Sequence, residues 1–419
     1  MKRMKTKKST VVNEKTLIVA VDIGKTIHWG YFRTPNNIEV KPFPFQNGIY
    51  SFNAFLQRMQ KFQQEQELEE IVVGFESTGP YAEPLCHFLR KRGVKLVQVN
   101  PMHTKRLKDL TGNSPNKTDQ KDPRVIADVI SLNHGLTVVI PQGVSAELRR
   151  LAHAREQVVC DLTAKSNKMQ QLVFIIFPEF FTIMKKAVSK SVLFLLKNYP
   201  LPEDIVELGI ETLTDRLKKI SRGKLRKQRA QELIEAARQS IGIDSGTRSI
   251  ALEIKYIVDS IEHAQQFIFT LETEMKEYLR HVPYSCNILS LKGIGVITAA
   301  GLIGEVGDFK AFATAKELEK MAGLNLYEIS SGAHKGKRRI SKRGRSLMRK
   351  LLYCAALNTI RTNGIMYQQY HKMLDRGMPK LKAVVAISRR LLRIIYALVR
   401  DNTMFEVTHC SKTCLKKVA

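Results

Sequence analysis

The chain has 419 residues, too many for one ordinary core, so two or three domains are expected. Its 68 Lys and Arg against 39 Asp and Glu give a net charge of +29, which points to a polyanionic partner, nucleic acid first. No apolar run approaches the roughly 18 residues of a membrane span, and no amphipathic basic helix stands apart, so a membrane protein is disfavoured.

Residues 1–15 read as a basic, disordered arm able to touch phosphates, because MKRMKTKKST leads into no apolar signal core. Leu17 to Asp22 (LIVAVD) reads as a buried strand ending in a carboxylate, and Thr26 to Arg33 and Ile38 to Phe45 as two more strands. Tyr50 to Leu68 is a helix with Phe52, Phe55, Leu56, Met59 and Phe62 on one face. Ile71 to Phe75 is a second buried strand, again followed by a carboxylate, Glu76. A helix from Tyr81 to Arg92 and a strand from Lys95 to Val99 complete an α/β layer with a mixed sheet. Asn100-Pro101 closes that strand, and a basic loop with Lys105, Arg106 and Lys108 follows. KTDQKD then carries Asp119 and Asp122 ahead of a helix from Val125 to Leu132, their spacing of three placing both on one side of a turn.

Two heptad-like seams come next: Leu148, Ala152, Arg155, Val159, Leu162, Ser166, Met169, Val173 and Ile176, then Ile254, Ile257, Ile261, Ala264, Ile268, Leu271, Met275 and Tyr278. They predict coiled-coil helices that pair within one chain or across a dimer. Between them, Phe180 to Ser249 reads as several short helices with a basic patch at Lys218 to Arg229. The divisions expected are 16–144, 145–282 and 283–402, with a frayed tail over 403–419. His409, Cys410 and Cys414 lie in that tail without a second ligand pair at zinc spacing. The six cysteines are scattered, which fits a reducing cytoplasm.

Leu289 to Ala299 (LSLKGIGVITA) has the pattern of a helix-hairpin-helix, whose Gly-Ile-Gly turn directs backbone N–H groups at a phosphate. Thr298 stands where a dinucleotide fingerprint needs its third glycine, which argues against that motif. Phe309 to Leu324 is an amphipathic helix, and Ser346 to Arg361 and Leu381 to Asp401 are long helices expected to cradle the segment before them. That segment presents Ser330 and Ser331 ahead of Gly332 and then runs to Lys350 with nine Lys/Arg and no acid. A hydroxyl on a glycine-hinged loop beside concentrated positive charge suits attack on a phosphodiester. Taken alone, the same loop reads more readily as a solvated basic loop whose serines only shape a turn.

Asp22 and Glu76 end strands, and Asp119 and Asp122 precede a helix. One aspartate in such a place is usually a turn or cap residue. Four in this order suit a ribonuclease-H-like layout, in which crowded carboxylates are relieved by Mg²⁺ or Mn²⁺ and two such ions activate an attacking and a leaving oxygen.

VDIGK with Asp22, FESTGPY with Glu76, NP followed by KTDQKD, LSLKGIGVITA and SSGAHKGKRRISKRG together resemble the DEDD insertion-sequence transposases. This is the insertion sequence 110 and Piv-MooV invertase family, which includes bridge-RNA-guided recombinases. The resemblance runs from Leu17 to about Asp401. It implies a RuvC-like N-terminal domain, a coiled-coil connector and a mainly helical C-terminal transposase domain. It further implies that Ser331 attacks DNA to form a phosphoserine link, and that Asp22, Glu76, Asp119 and Asp122 bind Mg²⁺ (or Mn²⁺) in a site completed by another subunit's serine. The partners implied are donor and target DNA, a structured non-coding bridge RNA, and further copies of the chain as a dimer or a tetramer on DNA, in a bacterial or archaeal cytoplasm beside the nucleoid. Candidate nucleic-acid contacts are Lys117, Lys292, Gly293, Gly295, Lys335, Lys337, Arg338, Arg339, Lys342 and Arg343. The chain departs from the family pattern at Gly24 (usually serine), Gln120 (arginine), Pro123 (alanine) and Arg345 (asparagine). Two other classes fit the same residues: a RuvC-like nuclease cutting branched DNA with carboxylates alone, and a non-enzymatic nucleic-acid-binding remnant. Covalent protein–DNA adducts mark the recombinase, free ends the nuclease, and absence of metal-dependent cleavage the remnant.

Overall fold

The apolar run ending at Asp22 is an inner strand of a mixed sheet, β1 (Thr16–Asp22). β2 (Ile27–Arg33) pairs antiparallel with it, and β3 (Glu39–Gln46) pairs antiparallel with β2. β4 (Glu70–Glu76) and β5 (Lys95–Val99) continue the sheet in parallel on the other side, and β6 (Leu136–Thr137) adds an antiparallel edge. The order is β3-β2-β1-β4-β5-β6. The computed structural model describes residues 12–76, 79–111, 122–132, 136–137, 142–328, 330–331, 334–336 and 338–406. They fall into two units, Met1–Val139 and Ile140–Ala419. The tail cluster of His409, Cys410 and Cys414 and most of the N-terminal arm lie outside the described residues.

Period-two alternation divides the sheet's side chains between two faces. On one face, Phe32, Phe43 and Phe45 meet Phe52 and Phe55 of α1 (Ile49–Glu65), with Phe45 and Phe55 stacked at 4.3 Å between centroids. α2 (Glu83–Lys91) adds Phe88 after a 3-10 turn at Pro80–Ala82, so the predicted helix begins as a tighter turn. Next in the chain, α3 (Pro101–Thr111) occupies the stretch expected to be a basic loop. Asn100 Oδ1 accepts from Met102 N at 3.0 Å, and Pro101 needs no N–H partner in a first turn; those two residues start a helix whatever the charge that follows. On the other face of the sheet, α4 (Asp122–Ser131) buries Ile126, Ala127 and Ile130 against Ile18, Ala20, Val72 and Val97.

The second unit is helical. α5 (Val144–Ile176) leads out to α6 (Phe180–Ile183), α7 (Lys190–Asn198), α8 (Pro202–Ser221) and α9 (Lys227–Arg238), and α10 (Thr247–Arg280) returns. Arg155 pairs with Glu272 at 2.7 Å and Lys168 with Glu253 at 3.5 Å, so the two long helices run antiparallel. The two seams therefore pair with each other within one chain. At the far end Met169, Val173 and Ile176 join Ile254, Ile257 and Ile261 in a core with the four shorter helices. At the near end Leu148, Ala152, Met275 and Leu279 belong to the core of the C-terminal helices.

Those helices are α11 (Ser285–Leu289), α12 (Val296–Val306), α13 (Ala315–Met321), α14 (Ser346–Thr359), α15 (Tyr367–Asp375) and α16 (Lys380–Arg400). Gly304 lets α12 approach α5 closely, since a Cβ there would lie 2.5 Å from the Arg149 nitrogen. The helix expected over Phe309–Leu324 is broken into a 3-10 turn at Phe309–Ala311 and α13. Two acids cause the break: Asp308 accepts from Lys310 N at 2.9 Å, and Glu317 reaches back to Ala313 N at 3.1 Å. Among the described residues no helix is long and apolar enough to cross a membrane, and Cys86, Cys160, Cys286 and Cys354 are free thiols.

Candidate active site

Val21 and Phe75 are paired across parallel strands β1 and β4, so the residues that follow them, Asp22 and Glu76, end adjacent strands. Both occupy positions whose preceding same-parity neighbours, Ala20 and Gly74, face α4. Arg33, opposite Ile18, binds Asp128 at 2.6 Å and Ser131 at 2.7 Å, while Arg124 lies over Tyr31, opposite Ala20. α4 therefore runs antiparallel to β1, and its first residue, Asp122, comes to the end of the sheet where Asp22 and Glu76 sit. Pro123, the departure beside it, occupies the first turn of α4, where proline fits a helix without loss of a hydrogen bond. Asp119 and Lys117 lie outside the described residues.

α3 supplies partners to two of these acids. The buried Thr104 hydroxyl lies 3.1 Å from Glu76 Oε2 and 2.9 Å from the Pro101 carbonyl, its one proton shared between them. One turn later Lys108 Nζ meets Asp122 Oδ1 at 2.6 Å. The sequence reading missed both contacts; the spacing of four after Asn-Pro was the available signal, once α3 is read as a helix. Behind Asp22, the backbone N–H of Gly24 donates to Nδ1 of the buried His28 at 3.3 Å, and burial pushes that imidazole's pKa down. A side chain at Gly24 would strike the Ile27 carbonyl at 2.0 Å, which accounts for glycine at this departure from the family pattern.

The donor type suits a hard divalent cation, since Asp22 and Glu76 end adjacent strands and Asp122 starts the helix that reaches the same end of the sheet. Among the described residues, however, no three acidic, His or Cys side chains are grouped closely enough to hold a metal ion. The oxygen of Asp122 nearest α3 is engaged by Lys108 instead.

In the second unit the serine segment is a hairpin rather than an open loop. β7 (Leu326–Tyr327) pairs with β10 (Arg339–Ile340), and beyond them β8 (Ser330–Ser331) pairs with β9 (His334–Lys335), setting Ser331 opposite His334. Gly332 and Lys337 lie outside the described residues. The base is clamped: Lys342 N donates to the Gly323 carbonyl at 2.9 Å, Arg345 N to Met321 at 2.7 Å, and the Arg349 guanidinium to Ala322 at 2.8 Å. α14 thus holds the hairpin's base, while α16 packs on α13 and α14. Arg338, Arg339, Lys342 and Arg343 surround this base, and Arg338 pairs with Glu328 at 2.8 Å.

Arg345 binds the backbone carbonyl of Glu305, and burial beside Arg149 pulls its pKa down to about 10. The Glu305 carboxylate, 1% exposed, meets His153 at 2.7 Å with Arg149 at 4.0 Å. Burial alone would raise the Glu305 pKa, but His153, Arg149 and Arg345 outweigh it and hold the carboxyl below its ordinary range. The Gly-Ile-Gly turn enters α12 as expected. Gly293 has φ +105°, where a Cβ would also press on Thr359 Cγ2 at 2.7 Å, and Gly295 caps the helix, with Lys292 exposed beside them.

A mixed sheet with acids at adjacent strand ends, followed by helices bearing a basic serine hairpin, suits work on nucleic acid, and two family matches give the class, a transposase. A DEDD transposase model matches residues 19–178, and a model of the IS116/IS110/IS902 transposase family matches residues 286–371. The chain belongs to this insertion-sequence transposase family. It is 24% identical to the 43.6 kDa protein of insertion element IS110 from Streptomyces coelicolor, over 93% of this chain and 95% of that one. It is 28% identical to the 42 kDa protein of IS900 from Mycobacterium paratuberculosis over 69% and 73% of the two chains. A pilin gene-inverting protein of Moraxella lacunata matches at 30% over 39% of this chain and 54% of its own.

Proposed function

We propose that this transposase cuts and rejoins DNA through a serine, in a RuvC-like N-terminal domain that another subunit's hairpin completes. The observation that carries the reading is the placement of Asp22 and Glu76 at the ends of adjacent parallel strands, with α4 bringing Asp122 to the same end. The strand order β3-β2-β1-β4-β5 supports the ribonuclease-H-like assignment. In this reading Asp22, Glu76, Asp119 and Asp122 hold Mg²⁺ or Mn²⁺. Such an ion, when bound, supplies a Lewis acid at the phosphodiester and lowers the pKa of a coordinated hydroxyl. Thr104 fixes the direction of the Glu76 carboxylate. The Ser331 hydroxyl attacks phosphorus, an Oγ–P bond forms, a backbone P–O bond breaks, and the departing oxygen takes the proton that serine gives up.

Lys292, Gly293 and Gly295 at the α12 turn, and Lys335, Lys337, Arg338, Arg339, Lys342 and Arg343 on the hairpin, contact nucleic-acid phosphates, as does Lys117. Donor and target DNA are the substrates, a structured RNA from the element directs them, and the chain works as an oligomer in the cytoplasm. The name of the Moraxella relative, an inverter of a pilin gene, supports rearrangement of DNA rather than simple cutting.

Trapping on labelled DNA with Mg²⁺, read on a denaturing gel, tests the serine. Wild type and Ser330→Ala are expected to form a covalent adduct and Ser331→Ala none. Free DNA ends without any adduct would return the chain to the nuclease reading, and adducts persisting in the double variant would remove serine from the mechanism.

A further inference from the structure

Helix α3 touches the acidic end of the sheet at two points one turn apart, and the two contacts differ in kind. Thr104 is 2% exposed and offers Glu76 a neutral hydroxyl on a short, β-branched side chain. Lys108 is 36% exposed along its side chain and offers Asp122, 23% exposed, a full positive charge on a four-carbon stem. The first contact is fixed by packing. The second is held by a side chain with room to swing, through an ion pair that water already screens.

We propose that Lys108 is a resident counter-ion of the acidic site, which holds Asp122 while no divalent cation is present and gives it up when one enters. The inference rests on the reading of these carboxylates as a cation site. Asp22, Glu76 and Asp122, brought to one end of a sheet, repel one another, and without a compensating charge either protons or a cation must be taken up. A lysine beside Asp122 supplies one positive charge from within the chain, so the fold need not wait for metal. The same contact ties up the Asp122 oxygen, so the ammonium and an incoming ion compete for it. Arginine would make this a poorer switch, because its planar fork grips a carboxylate with two parallel bonds. Once released, the ammonium remains at the same end of the sheet, where an attacked phosphate must lie, so a group that first balances the acids then anchors the substrate.

The test is binding of Mn²⁺ alone, followed by electron paramagnetic resonance, together with thermal melting with and without the ion. Lys108→Met, which keeps the apolar stem, is expected to melt below wild type without metal and to bind Mn²⁺ more tightly. The expected fall in Kd is about two- to fivefold, at most about 1 kcal/mol at 1.4 kcal/mol per tenfold. Lys108→Arg, which keeps the charge, is expected to bind no more tightly than wild type. Unchanged or weaker Mn²⁺ binding by Lys108→Met, with an equal loss of melting temperature in both conditions, would reduce Lys108 to an ordinary surface ion pair. Should Lys108→Met fail to fold, Lys108→Gln carries the same expectation. Absence of Mn²⁺ binding by the wild type, or binding left unchanged by Asp22→Asn, would overturn the cation site itself and this proposal with it; wild-type binding that depends on Asp22, with no gain in either neutral variant, overturns the proposal alone.

Discussion

Arg155 on α5 meets Glu272 on α10 at 2.7 Å, in the first half of one helix and the second half of the other, and that contact marks the antiparallel direction and register of the pair. From Arg155 through Lys168 and from Glu262 through Thr270 no side chain is buried, so this stretch has little apolar packing to hold its alignment. Reversing either charge alone, Arg155→Glu or Glu272→Arg, is expected to lower stability by up to about 1 kcal/mol, and reversing both to recover most of it. Melting of the four proteins checks this, and a double variant no better than either single one would show that the pair does not couple.

Ile261 is fully buried in the core at the far end of the two long helices. Ile261→Lys places a charge there and is expected to destabilise the helical unit by several kcal/mol. The effect should appear as melting or protease sensitivity around residues 169–261 at any protein concentration. A variant that melts normally but loses only its self-association would assign this seam to contact between copies.

Glu305 and Glu319 both carry carboxyls held below their ordinary range. For Glu319, burial would raise the pKa, but Arg393 and Arg389, the latter at 2.8 Å, overcome it. A carboxylate with a depressed pKa in the folded state contributes stability that is fully present above its unfolded value, about 4.3, and is lost as pH falls through the folded one. Acid melting should therefore steepen below about pH 4.5. Glu305→Gln and Glu319→Gln should each flatten that dependence while lowering stability near neutrality by about 2 kcal/mol, less than for a fully buried pair because the partner cations keep some water. A pH profile identical to wild type would show that neither carboxylate is held as described.

Removing the Thr104 hydroxyl frees the Glu76 carboxylate to turn. If Glu76 holds a metal as proposed, Thr104→Val, nearly the same in shape, is expected to slow strand cleavage by about tenfold or more while binding to DNA stays the same. Thr104→Ser should recover much of the rate. Equal rates for Val and wild type would leave Glu76 positioned by its strand alone.

Asp22→Ala or Glu76→Ala should abolish cleavage with binding nearly intact, since loss of an anion does not weaken attraction to a polyanion. Gel-shift and cleavage assays on the same preparation decide it, and either variant cutting at the wild-type rate would remove that residue from the site.

The strands and their terminal acids are legible in the sequence because a strand buried on both faces must be an apolar run, and a carboxylate at its end marks where the run meets water. α3 is not legible in the same way: Asn100-Pro101 signals the end of a strand and the start of a helix equally well, and the lysines after it favour neither. The partnership of Lys108 with Asp122 joins two helices across a gap in the chain and leaves no local pattern. Heptad seams show that α5 and α10 need an apolar partner but carry no sign of which, because the spacing is the same for a neighbour in the chain and for one in another copy. The hairpin at Ser331 is hidden by its composition, since Ser, Gly and Lys are as common in open loops as in short β-turns.

The antiparallel run of α5 and α10 also makes the chain leave and re-enter the C-terminal core at one spot, where Leu148 and Leu279 lie in the same core. Everything between them is an excursion that closes on itself. Inserting one heptad into each helix at facing positions would carry the far lobe outward by about 10 Å, at 1.5 Å per residue, with both seams still matched and neither end of the excursion displaced. The separation of the far lobe from the C-terminal core is therefore written as a number of helical repeats, a length that can be altered by insertion or deletion without redesigning what sits at either end.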